Sequence, residues 1–290
     1  MELQLQKSGM NGMSTEKLLQ SKITFREQNI STPNTAPFDC IVISGNLHKM
    51  QFTPKELLKD RSNLLDHMHE LVPKNSGTID IVTAQNGIYT TRNDFLDNCL
   101  SLTRNIPEAP LFIGLHNRSE GLSKDSSRVE IERKYRIMTP QATNTGQFLG
   151  IIADSLGKIQ SQSYWLHVPH SEAGLLFNLG YTMLGSHQKA LLKNQLIVFA
   201  VAPLEPISRQ HCFRADNIYS DKDGITDRYG KEYLSNPDYN ISYTKCITPR
   251  SERIAYTADH YFTGRTYSAS TTDQIKQLRK DYGFYDSRKR

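Results

Sequence analysis

From residue 38 onward the apolar residues fall into two habits: short unbroken runs, and longer stretches of helical period. FDCIVIS (38–44), TIDIVTA (78–84), PLFIGL (110–115), SYWLHV (163–168) and QLIVFAVAP (195–203) are runs of strand length, rich in β-branched and aromatic residues. DNIYS (216–220) and ISYTKCIT (241–248) read as two further strands. Between them come helical patterns. Thr53-Pro54-Lys55-Glu56 is a capping box with proline at the first helical position, and Pro73 stops the helix predicted over 54–72. Residues 92–106 carry Phe95, Leu96, Cys99, Leu100, Thr103 and Ile106 on one face. Phe148, Leu149, Ile151, Ile152, Leu156 and Ile159 predict another helix, and 271–280 a last one. EAGLLFNLGYTMLG (172–185) is apolar nearly all round, so it must be buried. Strands and helices thus alternate, and the run at 195–203 shows no polar face. This predicts an α/β fold, a three-layer α/β/α sandwich on a mainly parallel sheet covered on both sides, with right-handed crossovers. Residues 117–143 are polar and aperiodic, read as a solvated connection or a lid. Residues 1–35 read as a polar, disordered leader.

Composition narrows the picture. At 290 residues the chain is long enough for one large core, here a single domain over 36–290 behind the leader. No apolar run approaches the ~18 residues of a membrane span. The start, MELQLQKSGMNGMSTEKLLQ, has no apolar h-region. The reading is therefore a cytoplasmic protein, or one exported by a non-Sec route. The net charge of +5 raises nucleic acid as a partner. However, six basic and two acidic residues give the tail 276–290 a charge of +4, leaving the rest nearly neutral. No nucleic-acid partner is expected, and the tail allows weak contact with an anionic membrane. Cys40, Cys99, Cys212 and Cys246 show no CxxC spacing, and Cys40, Cys99 and Cys246 sit in apolar runs, which predicts buried, reduced thiols. His67 and His69 are two apart on a helix and do not share a face. No metal site is read, and without a P-loop or GxGxxG no cofactor is either.

In open α/β sheets chemistry sits beyond the carboxyl ends of the strands. After 163–168 come Pro169-His170-Ser171-Glu172-Ala173-Gly174 and then the buried helix. A strand, a tight turn and a helix form the setting of a nucleophile elbow, which lifts a serine hydroxyl to the positive end of a helix. Against the Gly-x-Ser-x-Gly pattern, Pro169 and Ala173 replace the glycines, with Gly174 one place later. The plainer alternative is that Ser171 caps the helix. A serine nucleophile needs a histidine base and an orienting carboxylate, in the chain order Ser, Asp or Glu, His. Asp223 lies in the acidic loop after 216–220, 52 residues past Ser171, and His260 lies 37 residues further, after 241–248. Asp221 is the rival acid, while His167 and His170 flank the strand end, His170 shaping the turn. For an oxyanion hole, the donors are the backbone of Glu172 and of Gly87 in the loop Gln85-Asn86-Gly87-Ile88-Tyr89.

These features, over about 78–280, resemble the α/β-hydrolase superfamily. Asn86-Gly87-Ile88, His170-Ser171-Glu172-Ala173-Gly174 and Asp259-His260-Tyr261-Phe262 are more closely similar to an uncharacterised domain family of chlamydial proteins. The superfamily resemblance implies a cofactor-free serine hydrolase acting on a small-molecule ester or lipid-like substrate. The alternative is an inactive binding or host-interaction module of the same fold.

Overall fold

The computed structural model describes residues 77–106, 108, 111–159, 163–224, 231–248 and 260–285, together with the backbone of one strand at 38–43. The leader, the helix predicted over 54–72, His67, His69 and Asp259 lie outside the described residues.

Among the described residues, seven strands form one sheet: β1 (Phe38–Ile43), β2 (Ile79–Gln85), β3 (Leu111–Asn117), β4 (Tyr164–Pro169), β5 (Leu196–Val201), β6 (Arg214–Ser220) and β7 (Ile241–Thr244). Their order is β1-β3-β2-β4-β5-β6-β7. Only β1 runs antiparallel, paired with β3; the other neighbours are parallel. The helices are α1 (Arg92–Asn105), α2 (Leu122–Tyr135), α3 (Pro140–Ile159), α4 (Glu172–Thr182), α5 (Ser186–Gln195) and α6 (Arg265–Asp281). The predicted mainly parallel three-layer α/β/α sandwich is the architecture observed.

Strand periodicity sorts the core into two layers. Ile81, Ile113, Trp165 and Val198 point to the face covered by α3, α4 and α5, packing against Leu149, Ile152, Phe177 and Leu192. Val82, Phe112, Leu166, Ile197 and Phe199 point to the other face, against Phe95, Cys99 and Leu102 of α1 and Tyr267, Ile275 and Leu278 of α6. Strand β5 is buried along its whole length, as the missing alternation implied. Helices α3 and α4 approach through paired glycines. A Cβ on Gly180 would meet the backbone N of Gly146 at 2.6 Å, and one on Gly146 the Gly180 carbonyl oxygen at 2.9 Å.

Several expectations need correction. Residues 117–143 are not aperiodic connection: they hold α2 and the first turn of α3. The buried face of α2 is largely charged, with Asp125, Arg128 and Glu132 inward, so an apolar period could not reveal it. Helix α5 was missed because Leu192 is its only buried residue. Helix α6 starts at Arg265 rather than 271, its first turns burying Thr266 and Tyr267. Lys276, Arg279 and Lys280 belong to α6 and not to a free tail; Arg279 pairs with Glu108, and Tyr285 N–H donates to Ile79 O at 3.0 Å. Cys99 and Cys212 are buried, but Cys246 is only half-buried.

Candidate active site

Helix α4 begins one residue after Ser171, and the turn is tight. Ser171 has φ +58° and ψ −122°, a strained region for a residue with a Cβ. Its hydroxyl makes no capping bond to the helix, which removes the plain N-cap alternative. Neighbouring strands hold the turn from both sides. His170 N–H donates to Gln85 O at 2.9 Å, Ser171 N–H to Val201 O at 3.1 Å, and Leu204 N–H to Ser171 O at 2.9 Å. Pro169 closes β4 opposite Gln85, so the missing N–H falls at the last ladder position. The small residue the turn needs is Gly174: a Cβ there would lie 2.6 Å from both Glu205 O and Pro203 Cβ.

The three dispersed candidates meet at this turn. His260 Nε2 lies 2.8 Å from Ser171 Oγ, and His260 Nδ1 lies 2.8 Å from Asp223 Oδ2. Asp223 is buried, and an ionised carboxylate only accepts, so Nδ1 carries the proton. In the neutral ring Nε2 is then left to accept from the serine hydroxyl. Hydroxyl, imidazole and carboxylate joined in that order form the arrangement by which a serine is activated for nucleophilic attack. Asp221 does not join it; its Oδ1 accepts from Cys246 N–H at 2.8 Å and holds the loop after β7.

Two further side chains set this chain: Tyr267, to which sequence reasoning gave no part, and His170, to which it gave the shaping of the turn. Tyr267 donates its hydroxyl proton to Asp223 Oδ2 at 2.8 Å and accepts from Ser220 N–H at 2.8 Å. It sits two residues into α6, and a helix predicted from 271 leaves it outside. His170 lies 2.7 Å, through Nε2, from the carbonyl oxygen of His260. Burial pushes its pKa down to about 3, so the ring is neutral and Nε2–H is the donor. It therefore ties the His260 loop to the turn, as the shaping role implied. His167 points into the core, 2.8 Å from Thr83 Oγ1 through Nδ1, and burial likewise brings its pKa to about 3.

Opposite Ser171 lies the loop after β2. A Cβ at Gly87 would stand 2.4 Å from Ser171 Cβ, 2.8 Å from its Oγ and 3.1 Å from Glu172 N. Only a glycine lets the loop come this close. Asn86 anchors it: Nδ2 donates to Gly87 O at 2.7 Å and to Asn117 O at 3.0 Å, and Oδ1 accepts from Asn117 N–H at 2.7 Å. The peptides are trans, so a Gly87 carbonyl turned to Asn86 turns Ile88 N–H the opposite way. Glu172 N–H is the first amide of α4, and such amides have no acceptor within their helix.

Among the described residues, no three of His, Cys, Asp and Glu gather as a metal site. No described helix is long and apolar enough to cross a membrane.

No family model and no curated protein matches the chain. Solved structures with a similar path include a dienelactone hydrolase from Anabaena variabilis, at 11% identity over 91% of this chain and 99% of that one, TM-score 0.44. A thermophilic esterase from Thermogutta terrifontis matches at 8% identity over 91% and 95%, TM-score 0.45. An S-formylglutathione hydrolase from Agrobacterium tumefaciens matches at 10% identity over 84% and 90%, TM-score 0.43.

Proposed function

We propose that the protein is a serine hydrolase that cleaves an ester or lipid-like acyl bond, with the described residues forming a single hydrolase domain. The observation that carries this reading is the continuous hydrogen-bonded chain Ser171–His260–Asp223, with both links at 2.8 Å, on a backbone turn strained at φ +58°. Ser171 Oγ attacks the carbonyl carbon while His260 Nε2 takes its proton. Asp223 stabilises the resulting imidazolium. The tetrahedral oxyanion is received by Glu172 N–H and by the backbone at Gly87. Collapse expels the alcohol, which takes its proton from His260, and leaves an acyl ester on Ser171. Water then attacks that ester with His260 as base, releasing the acid and the free serine. The nearer kinship with the chlamydial domain family is part of this proposal and rests on the motifs around Gly87, Ser171 and His260.

The experiment is labelling with a fluorophosphonate probe. Wild type is expected to take one label, lost in Ser171→Ala and strongly slowed in His260→Ala and Asp223→Asn. A folded wild type that takes no label and hydrolyses no ester refutes the hydrolase reading and leaves a binding or host-interaction module.

A further inference from the structure

The residue after Ser171 is a glutamate with no exposure to solvent, and it is held from a distant element. Arg128, on α2, donates from Nε and Nη2 to Glu172 Oε1 at 3.1 and 3.0 Å and from Nη2 to Oε2 at 3.2 Å. The same guanidinium donates to Asp125 Oδ1 at 3.0 Å and stands 3.9 Å from Glu132. All four side chains are buried. Burial and neighbouring negative charge raise the carboxyls of both Glu132 and Glu172 above their ordinary values. A buried cluster of this kind is weak support for stability, since apolar residues of similar volume often serve the fold as well or better. Its position is more informative than its energy. Helix α2 reaches the residue after Ser171 through Arg128, with Glu132 beside the same carboxyl, and it also holds the other side of the site. Asp125 accepts from Ser119 Oγ at 2.6 Å and from Glu120 N–H at 3.0 Å, in the loop that follows Asn117. Asn117 in turn clasps Asn86, whose amide holds the Gly87 carbonyl. Tyr89 is hydrogen-bonded to Ser126, and Ile88 packs in one cluster with Val129. At its far end Arg136 pairs with Glu205, in the stretch that a Cβ on Gly174 would strike.

We propose that Arg128 is a positioning residue: through Glu172 it fixes where the amide after Ser171 points, so that α2 braces both sides of the oxyanion hole as one unit. This rests on the hydrolase reading above. Arg128 touches no reacting atom. Substituting Glu172 leaves its backbone N–H in place, so a change in rate reports the direction of that amide and not its loss.

The test uses the full chain, a p-nitrophenyl ester of a short acid, active sites counted by fluorophosphonate titration, and a trifluoromethyl ketone. The ketone adds to Ser171 and sets an oxyanion in the hole. Arg128→Met and Glu172→Ala are each expected to lower kcat per titrated site about 10- to 100-fold, with KM within about twofold. Ketone affinity should weaken in step with kcat/KM. The double variant should be no worse than either single one, because both break the same link. Arg128→Lys keeps the charge without the fork and should recover part of the rate. Where Arg128→Met does not fold, Glu172→Gln keeps the volume and is expected to lose about 3- to 10-fold in kcat. A wild type with neither label nor turnover refutes the hydrolase reading and this inference with it. A labelled, active wild type whose folded Arg128 or Glu172 variants keep kcat and ketone affinity within twofold overturns the brace alone.

Discussion

Gly87→Ala is the sharpest single test of the site. The added methyl would lie 2.4 Å from Ser171 Cβ, 2.8 Å from Oγ and 3.1 Å from Glu172 N. Ordinary carbon contacts are about 3.5–4.0 Å, so loop and turn must part by roughly 1 Å or more. Neither partner yields easily. Ser171 Cβ is one bond from a backbone fixed by Val201 and Leu204, and the loop is held by Asn86. Overpacking of this kind costs about 1–3 kcal/mol of stability, which a domain of this size survives. The effect on reaction should be larger. A displacement of about 1 Å can cost about 10²-fold, and loss of an oxyanion donor about 10²–10³-fold. The expected fall in kcat/KM is therefore roughly 10²- to 10³-fold, about 3–4 kcal/mol of transition-state stabilisation. The assay is hydrolysis of a p-nitrophenyl ester, read against Ser171→Ala as the floor, with thermal unfolding in parallel. Gly185→Ala is the control, since its Cβ would find only Gln188 Oε1, at 3.9 Å, and its φ is −70°. If Gly87→Ala keeps kcat/KM within twofold of wild type with an unchanged Tm, the loop does not serve the reaction.

Tyr267→Phe removes the bonds of the hydroxyl to Asp223 and from Ser220 N–H; it should lower kcat about tenfold with KM unchanged, and stability by about 1–2 kcal/mol, read by steady-state kinetics and urea unfolding. Asp221→Asn should leave kcat within about threefold, as its bond is to Cys246, whereas Asp223→Asn should cost about 10⁴-fold by loss of the correct His260 tautomer. Stability should depend on pH from both sides. Burial and the neighbouring Glu172 carboxyl raise Glu132 above its ordinary value, so above that value the folded state keeps a proton the unfolded chain has lost, and stability falls as pH rises; Glu132→Gln should flatten the slope of urea midpoints. His167 and His170, brought from 6.5 to about 3, act oppositely: below 6.5 the unfolded chain takes up protons that the fold excludes, so stability falls as pH drops.

Much of the fold was legible because the sheet is buried on both faces. Runs such as TIDIVTA and QLIVFAVAP have no other use for so many β-branched residues in a row, and they fall on β2 and β5. The order in which Ser171, Asp223 and His260 follow β4, β6 and β7 was legible for a topological reason: each sits just past the carboxyl end of a parallel strand, or in the loop beyond it. Apart from α5, with its one buried leucine, what escaped were features whose inward face is polar. Helix α2 turns Asp125, Arg128 and Glu132 to the interior, and an amphipathic pattern read by apolar residues treats that face as surface. Tyr267 escaped for a related reason, lying among the serines and threonines that open α6. The signal that could have found α2 is spacing of charge: Asp125, Arg128 and Glu132 at intervals of three and four stand on one helical stripe.

The glycine contact between α3 and α4 bears on how this chain can change over time. Gly146 and Gly180 each occupy the space that the other's side chain would need. Neither can be replaced alone without prising apart the helix that carries the turn at Ser171 and the helix it rests on. Enlarging one is tolerable only if the backbone between them has already moved. The two positions are therefore expected to be locked together in descent, and an insertion that lengthens either helix between them and the sheet would be purged. Innovation in this protein has freer ground in the loops beyond the strands than in the helix pair beneath them.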